Sequence, residues 1–212
     1  MIITKIKRIR GKRAQYGVYL GDSLTMELSE WTIGKFGLRT GDDLDEQTID
    51  TLKTADAESR AKNIAINYLS YRPRSSKEIT FHLTKKGFEY ECAENVTRHL
   101  QSIKMIDDNQ FAHAFVRDRL KRKPTGQALL RQQLLAKGIS SSMADKVLTE
   151  LVSPQIQQAS ALQAAKRKIQ LTQHSAKKID AEKRKKRILD FLLRRGFTYE
   201  IALRTIRTTL DH

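Results

Sequence analysis

Hydrophobic and polar residues alternate near the start of the chain. The alternation runs through residues 3–9, 15–20 and 24–28, and a Gly-Asp pair separates the last two segments. A period of two is typical of strands with one buried face, and Gly-Asp favours a tight turn. We therefore predict a small three-stranded antiparallel meander in residues 1–28.

Two short helices are predicted after these strands, at residues 29–36 and 44–52. A sheet of three strands is marginal alone and needs a helix packed on one face. Trp31 and Phe36 are the residues that we expect to provide this cover.

From about Asp56 onward, apolar residues recur at helical spacing. Ser75, followed three residues later by Glu78, forms a capping-box signature that predicts a helix start. Gly87 suits the left-handed cap with which many helices end. The rest of the chain is therefore predicted to be helical.

Similar signals punctuate the second half of the chain. Asp107 and Asp108 precede an apolar helical face, so capping is the favoured interpretation and a metal site is the alternative. Pro124 ends this helix. Pro154 either ends a later helix or lies in the first turn of the next one.

A motif of a basic residue, a glycine and an apolar residue occurs three times. Its glycines are Gly87, Gly138 and Gly196, which are 51 and 58 residues apart. Equivalent apolar positions lie eight residues before, four before and six after each glycine; they are Ile79, Leu83 and Ala93, then Leu130, Leu134 and Ala144, then Ile188, Leu192 and Ala202. Each unit is predicted to form two helices, a glycine stop and a third helix, with stacking between units.

The pattern predicts a mainly α fold with a small N-terminal β domain. The predicted domains are 1–55 for the β-meander with short helices, then three-helix repeats at 56–106, 107–153 and 154–212. A helix-turn-helix that reads DNA sequence is an alternative for residues 134–144. The large residue four before each glycine disfavours it, because such motifs need a small residue there for close helix crossing.

The charge of the chain changes the functional picture. Lys and Arg total 40 against 24 for Asp and Glu, giving a net charge of +16. Such a charge favours a polyanionic partner, with nucleic acid first and a membrane surface second. There is no apolar run of about 18 residues and no signal-peptide core, so we expect a cytoplasmic protein outside the membrane. The single Cys92 excludes an intramolecular disulfide and a cysteine-based zinc site.

Three clusters of basic residues are candidate contacts for a polyanion. Residues 183–187 are five consecutive cations, Arg72 and Arg74 flank Pro73 in a connector, and five cations lie between residues 117 and 123. Both connector arginines are expected to face solvent. The alternatives are a solvated helix face, ordinary loop charges and favourable cations at a helix C-terminus. The run at 183–187 would oppose the helix dipole if its helix began near residue 180, and a start near Ser175 would avoid this.

Catalytic constellations are absent from the sequence. The five histidines have no acid or cysteine at metal-ligand spacing, and no glycine-rich phosphate loop occurs. We expect a non-enzymatic protein with no catalytic residue, no metal and no cofactor.

The order and spacing of several motifs resemble the RecX family of regulatory proteins. The likeness covers about residues 57–153, continues loosely to about 210, and matches 1–55 to the extension of longer members. It rests on Tyr68-Leu69, Arg72-Pro73-Arg74-Ser75, Leu83, Lys86-Gly87-Phe88, Ile106-Asp107-Asp108, Phe111-Ala112, Arg117-Asp118-Arg119, Gly126 and Lys137-Gly138-Ile139. The third unit departs from the pattern, because its glycine spacing is longer.

This resemblance implies tandem three-helix repeats in an elongated, curved array. It implies binding to the RecA–DNA filament, with inhibition of strand exchange, ATP hydrolysis and filament growth. Matched basic positions form the surface that it implies: Arg72, Arg74, Lys86, Arg117, Arg119 and Lys137. Charge alone adds Lys183, Arg184, Lys185, Arg187, Arg194 and Arg195.

The first hypothesis is therefore a non-enzymatic modulator of RecA in DNA repair, acting as a monomer. Weaker, salt-sensitive binding to single- and double-stranded DNA is expected beside it. A direct DNA- or RNA-binding regulatory protein is the second hypothesis, and a nuclease or other phosphoryl-transfer enzyme is the third.

Overall fold

A computed structural model describes residues 1–10, 14–176 and 180–210 of the chain. Within these residues the fold is mainly helical, with ten helices and one small antiparallel sheet, as predicted. Its elements are β1 (Ile3–Arg8), β2 (Gln15–Leu20), β3 (Ser23–Ser29), α1 (Glu30–Phe36), α2 (Glu46–Tyr71), α3 (Ser76–Lys85), α4 (Tyr90–Ser102), α5 (Asp108–Arg122), α6 (Gln127–Ala136), α7 (Ser141–Leu151), α8 (Pro154–Ala176), α9 (Ala181–Arg194) and α10 (Tyr199–Leu210). Two compact units divide the chain, Met1–Ile106 and Asp107–His212.

The sheet has the predicted order β1-β2-β3, and one face of it is buried. Val18 pairs with Met26 and both lie in the core. The pairing then shifts, so that Leu24 lies opposite Tyr19. This β-bulge moves Leu24 to the other face, where it is exposed. The simple alternation had placed Leu24 on the buried face, so that assignment was wrong.

The cover of the sheet differs from the prediction. Trp31 and Phe36 are 50% and 39% exposed, so they do not cover it. Ile49 and Leu52 of α2 are buried against the strands, with Ile33 of α1 beside them. The short α1 turns Ile33 inward and leaves its aromatic residues outside.

Helix α2 serves two hydrophobic cores. The predicted short helix at 44–52 is the start of this 26-residue helix. Ile49 and Leu52 belong to the core under the sheet, whereas Ala61 and Ala65 belong to the core of the first three-helix domain. The predicted boundary between residues 55 and 56 therefore lies inside a continuous helix.

A buried carboxylate attaches α1 to α2. Asp56 is 2% exposed and its Oδ1 accepts hydrogen bonds from Ser29 N at 2.7 Å and from Thr32 Oγ1 at 2.8 Å. Its Oδ2 pairs with Arg60 Nε at 2.9 Å. These bonds compensate the desolvation of a buried charge and fix the position of α1.

The predicted repeat is confirmed by three similar helical triplets, α2-α3-α4, α5-α6-α7 and α8-α9-α10. Each triplet has its own cluster of buried apolar residues. All nine repeat positions named above are buried. Because period and spacing alone identified these positions, the helical repeat is encoded locally in the sequence.

The basic–glycine–apolar motif ends the second helix of each triplet. In the first triplet, Gly87 N donates to Thr84 O at 3.0 Å and Phe88 N donates to Leu83 O at 3.3 Å. These two bonds define a Schellman cap, and Gly87 adopts the left-handed conformation that the cap requires, with φ of 93°. Gly138 and Gly196, each with the residue that follows it, form the equivalent pair of bonds. Leu83 is large because it packs in the same core as the apolar residue after the glycine. This accounts for the large residue that disfavoured a helix-turn-helix.

Within the second unit, the turn after α9 caps the start of α6. Gly126 N donates to Arg195 O at 2.8 Å, and Ala128 N donates to Gly196 O at 3.1 Å. A Cβ atom on Gly126 would lie closer than 3.0 Å to the backbone of Gly196. Gly126 has no side chain to cap α6, so the backbone of the third triplet satisfies these amides instead.

Candidate functional site

The twelve basic residues predicted as a binding surface occur in both units. Arg72, Arg74 and Lys86 belong to the first unit, and the other nine belong to the second. They differ in what each side chain contacts. These contacts separate cations with a local structural role from cations without one.

Arg72 has a structural partner. Its Nη2 lies 3.1 Å from Glu78 Oε1, and its Nη1 lies 3.3 Å from Glu78 Oε2. Glu78 is also the acid of the capping box, in which Ser75 caps α3 as predicted. Arg72 therefore steadies the start of α3, while 47% of its side chain stays exposed for another contact.

Arg74 does not face solvent freely, so that expectation was wrong. Its guanidinium lies 3.8 Å from the centroid of the Tyr68 ring. Tyr68 in turn stacks on His82, with centroids 3.8 Å apart and planes within 8°. Burial lowers the pKa of His82, and the nearby cations Lys86, Arg74 and Lys85 lower this pKa further. Arg74 is thus part of a stacked cluster that the sequence pattern did not reveal.

The basic residues of the repeat motif occupy helix C-caps. Lys86, Lys137 and Arg195 are the last residues before the three left-handed glycines. A cation at this end of a helix interacts favourably with the helix dipole. The carbonyl of Arg195 also accepts a hydrogen bond from the Gly126 amide. Their positive charge therefore has a local reason that is independent of any partner.

The cations of α5 form a mixed group near its C-terminus. Arg117 is exposed, whereas the Arg119 guanidinium lies 5.1 Å from the centroid of the Phe115 ring. Arg122 Nε forms an ion pair with Asp118 at 2.7 Å. The local alternative, favourable interaction with the helix dipole, applies to this end of α5 as well.

The basic run of α9, residues 183–187, has no comparable favourable interaction with the helix dipole. Helix α9 begins at Ala181, so of the two starts considered the one near residue 180 applies, and Asp180 forms no side-chain cap. Lys183 and Arg184 consequently lie in the first turn, at the positive end of the helix dipole, where cations are unfavourable. Lys185 approaches Glu182 at 3.7 Å, which offsets part of this repulsion.

Among the helices that carry predicted site residues, α9 has the most cationic outer surface. Lys183, Arg187 and Arg194 are exposed, whereas Arg184 and Lys185 are partly buried. Lys186 is exposed too and extends the predicted set. Ile188 and Leu192 hold the opposite side of the helix in its core. This arrangement presents a cationic surface on a helix that is anchored by its apolar side.

Acidic and thiol groups take structural roles. Asp107 Oδ1 accepts hydrogen bonds from Asn109 N and Gln110 N at 2.9 Å each, which confirms capping. In the part of the chain that the structure describes, no cluster of three or more His, Cys, Asp or Glu residues could hold a metal ion. Cys92 packs against the core of the first triplet, and burial raises the pKa of its thiol.

No described helix has the length and apolar character needed to cross a membrane.

One ionisable pair was missed by the sequence reasoning. His113 Nε2 lies 2.8 Å from Glu150 Oε2, and its Nδ1 lies 2.9 Å from Asn109 O. The Asn109 carbonyl and the Glu150 carboxylate raise the pKa of His113. The pair joins α5 to α7 from residues 37 positions apart, so no short motif indicates it.

Comparison with known proteins supplies the family. The family models described as RecX, first three-helix domain, and RecX, second three-helix domain, match residues 61–100 and 107–148. A crystal structure of regulatory protein RecX matches 99% of this chain and 98% of its own, with a TM-score of 0.71 and 26% identity. The chain belongs to the RecX family. RecX from Lactobacillus salivarius has a TM-score of 0.63 and 27% identity, covering 74% of this chain and 98% of its own.

Curated relatives agree with this assignment. Regulatory protein RecX of Lactobacillus johnsonii is 28% identical over 201 residues, which are 95% of this chain and 72% of the relative. Regulatory protein RecX of Bacillus licheniformis is 28% identical over 208 residues, which are 98% of this chain and 77% of the relative. The alignment therefore includes the N-terminal sheet and all three triplets. It places the chain among regulatory proteins.

Proposed function

We propose that this protein binds the RecA–DNA filament and inhibits RecA recombinase, its ATP hydrolysis and its filament growth. The observation that carries the proposal is RecX membership along nearly the whole chain, because a solved RecX structure matches 99% of it. The protein acts by occupying a surface, without a catalytic residue or cofactor. It works as a monomer in the cytoplasm and contributes to the control of DNA repair.

Electrostatics supports attraction to a filament that contains DNA. The net charge of +16 favours association with a polyanion, and the rate of that association falls as salt rises. The cations of α9 are the strongest candidates for this contact, since their position costs helix stability. Arg72 and Arg117 add exposed arginine side chains, whose guanidinium groups can fork onto phosphate or carboxylate.

A second candidate function is direct binding of DNA or RNA without RecA. The same basic run of α9 favours it, because phosphate contacts alone would compensate the repulsion at the helix start. The two functions differ in stoichiometry and in salt dependence. A direct binder saturates naked nucleic acid, whereas a filament modulator acts below one copy per RecA protomer.

The deciding experiment is RecA ATPase activity on single-stranded DNA, titrated with this protein at two salt concentrations. We expect inhibition at substoichiometric amounts that persists when extra DNA is added. Inhibition that extra DNA abolishes at both salts would favour the direct binder. No inhibition at any amount would contradict the proposed function.

A matched pair of variants tests the contribution of α9. Replacing Lys186 and Arg187 with glutamine removes two exposed cations and preserves helix propensity. The control replaces Lys53 and Lys146 with glutamine. These two lysines are exposed on α2 and α7, so the control loses the same net charge. We expect weaker inhibition from the α9 variant alone. Equal behaviour of both variants would mean that net charge, and not α9, governs binding.

A further inference from the structure

A cavity of about 660 Å³ lies inside the first unit, between α1, α2 and α4. It is unrelated to the basic residues predicted above. Its walls combine one large aromatic ring with cationic and amide side chains: Trp31, Lys35, Lys62, Asn63, Asn95 and His99. Neither the sequence pattern nor the RecX assignment gives this cavity a role.

Trp31 is the unusual member of the wall. It is the only tryptophan in the chain and is 50% exposed, although tryptophan is mostly buried in folded proteins. Lys35 Nζ lies 4.7 Å from the centroid of its ring, a cation–π distance. An indole held in this way offers a flat surface with a cation beside it.

The backbone that carries Trp31 is held in place before any ligand binds. Its chain neighbours Ser29 and Thr32 both donate to the buried Asp56, through the Ser29 backbone N–H and the Thr32 hydroxyl. These bonds hold α1 on α2, so the backbone that carries the ring needs no rearrangement to place it at the cavity. A preformed surface binds with a smaller loss of conformational entropy.

The opposite wall carries polar groups suited to an anionic and heterocyclic ligand. Lys62 Nζ lies 3.0 Å from His99 Nε2, joining α2 to α4. Asn63 and Asn95 supply amide groups that both donate and accept hydrogen bonds. One acid, Glu58, lies among the lining residues that the structure describes, so cationic groups prevail.

We propose that this cavity binds single-stranded nucleic acid, with a base stacked on Trp31 and the adjoining phosphates near Lys35 and Lys62. Aromatic stacking beside a cationic groove is the general mode by which proteins hold single strands without reading sequence. A base edge finds hydrogen-bond partners in Asn63 and Asn95. An apolar peptide would leave these cations and amides without partners, which disfavours it.

Tryptophan emission provides a direct test without RecA. Because Trp31 is the only tryptophan, its fluorescence reports on this cavity alone. We expect oligo-dT or oligo-U to quench the emission in a saturable way, and comparison of the two separates DNA from RNA as the ligand. Quenching by poly-glutamate and not by either oligonucleotide would overturn the proposal in favour of an acidic protein partner. No quenching by either oligonucleotide would also overturn it.

Variants then separate the cavity from general charge, using the anisotropy of a labelled oligonucleotide. We expect Trp31→Ala to weaken binding at least about fivefold, the lower end for loss of one stacked base. Tyr71→Ala is the control, because Tyr71 is an exposed aromatic residue of the same unit that does not line the cavity. Trp31→Ala binding as tightly as Tyr71→Ala would refute the stacking.

A second pair of variants tests the phosphate contact. We expect Lys62→Ala to weaken binding and to reduce the salt slope by about 0.7, the value for one contact to a single strand. Lys53→Ala, on the same helix and outside the cavity, should leave the slope unchanged. Equal slopes for the two variants would exclude Lys62 from the phosphate contact and would contradict the proposal.

This inference does not depend on the proposed action on RecA. The binding assays contain no RecA, and the ATPase assay reports on RecA separately. If Trp31→Ala loses oligonucleotide binding but still inhibits RecA, the cavity is a nucleic-acid site apart from inhibition. If no variant changes oligonucleotide binding, the cavity proposal fails while the proposed function stands on its own assay.

Discussion

The contact between Gly126 and Gly196 gives the sharpest prediction about how the second unit is held together. Gly126 has φ of −76° and ψ of 158°, a conformation that alanine adopts without strain. The substitution Gly126→Ala therefore adds no backbone strain, and in the folded protein it perturbs packing alone. Its Cβ would overlap with the backbone of Gly196, which lacks the freedom of a flexible side chain to move aside.

The magnitude follows from the two hydrogen bonds at this contact. Separating the backbones breaks the bonds from Gly126 N to Arg195 O and from Ala128 N to Gly196 O. A buried donor left without its partner costs about 1–3 kcal/mol. Alanine offsets about 0.4–1 kcal/mol of this loss, because it reduces the conformational entropy of the unfolded chain. Two such donors cost about 2–6 kcal/mol, so we expect a net loss of about 1–5 kcal/mol in the free energy of unfolding of the second unit.

The assay is chemical denaturation together with amide hydrogen exchange. The Gly126 and Ala128 amides should lose protection in Gly126→Ala, since they are the donors at the contact. Gly87→Ala is the complementary control, because Gly87 has φ of 93° but open space around its Cβ position. It should cost about 1–2 kcal/mol through backbone strain and leave those two amides protected.

One result would refute this reasoning. If Gly126→Ala unfolds like the unsubstituted protein and keeps both amides protected, the two backbones do not meet as described. A loss of stability with both amides still protected would assign the cost to another part of the unit.

Three further predictions concern buried and titrating groups. The raised pKa of His113 means that its stabilising contribution is present below its ordinary pKa of about 6.5 and is lost as pH rises through the raised value. His113→Gln should therefore destabilise more in acid than in base, measured by thermal unfolding. The lowered pKa of His82 has the opposite sign: stability falls as pH drops below about 6.5, and His82→Gln should flatten that decline. A pH dependence that neither variant changes would contradict both assignments. Asp56→Ala should cost about 1–3 kcal/mol because Ser29 N and the Thr32 hydroxyl lose their acceptor, whereas the exposed Asp50→Ala should be nearly neutral.

Local signals accounted for the helical part of the fold. The glycine motif, the apolar positions around it and the caps at Ser75 and Asp107 depend on residues within one or two helical turns. A single sequence displays such relations directly, because helices and Schellman caps are formed by near neighbours. The domain boundaries and the set of binding residues stay predictions.

Relations between distant residues could not be predicted in the same way. The bulge that exposes Leu24 depends on pairing between strands, and the exposure of Trp31 depends on which residues of α2 cover the sheet. Asp56 lies 27 residues after Ser29, and its carboxylate accepts a hydrogen bond from the Ser29 backbone amide. Arg74 has a typical connector sequence, yet it lies on Tyr68 from the preceding helix. In each case the partner is chosen by tertiary packing, which a local pattern does not encode.

The helix dipole allows a last prediction about α9, because it links binding to helix stability. Cations in the first turn destabilise the free helix, and counterions or phosphates relieve that cost. A ligand that binds the folded helix must also stabilise it. We therefore expect amide exchange in residues 184–190 to slow when salt is raised, and to slow further when single-stranded DNA is added at fixed salt. The amides of residues 131–136 in α6 serve as the internal control, because the first turn of that helix has no acidic residue, its last turn has no basic residue, and these amides do not bond to the turn after α9. Faster or unchanged exchange in α9 under both conditions would show that its cations are already compensated within the free protein, and would remove the electrostatic reason for placing a polyanion there.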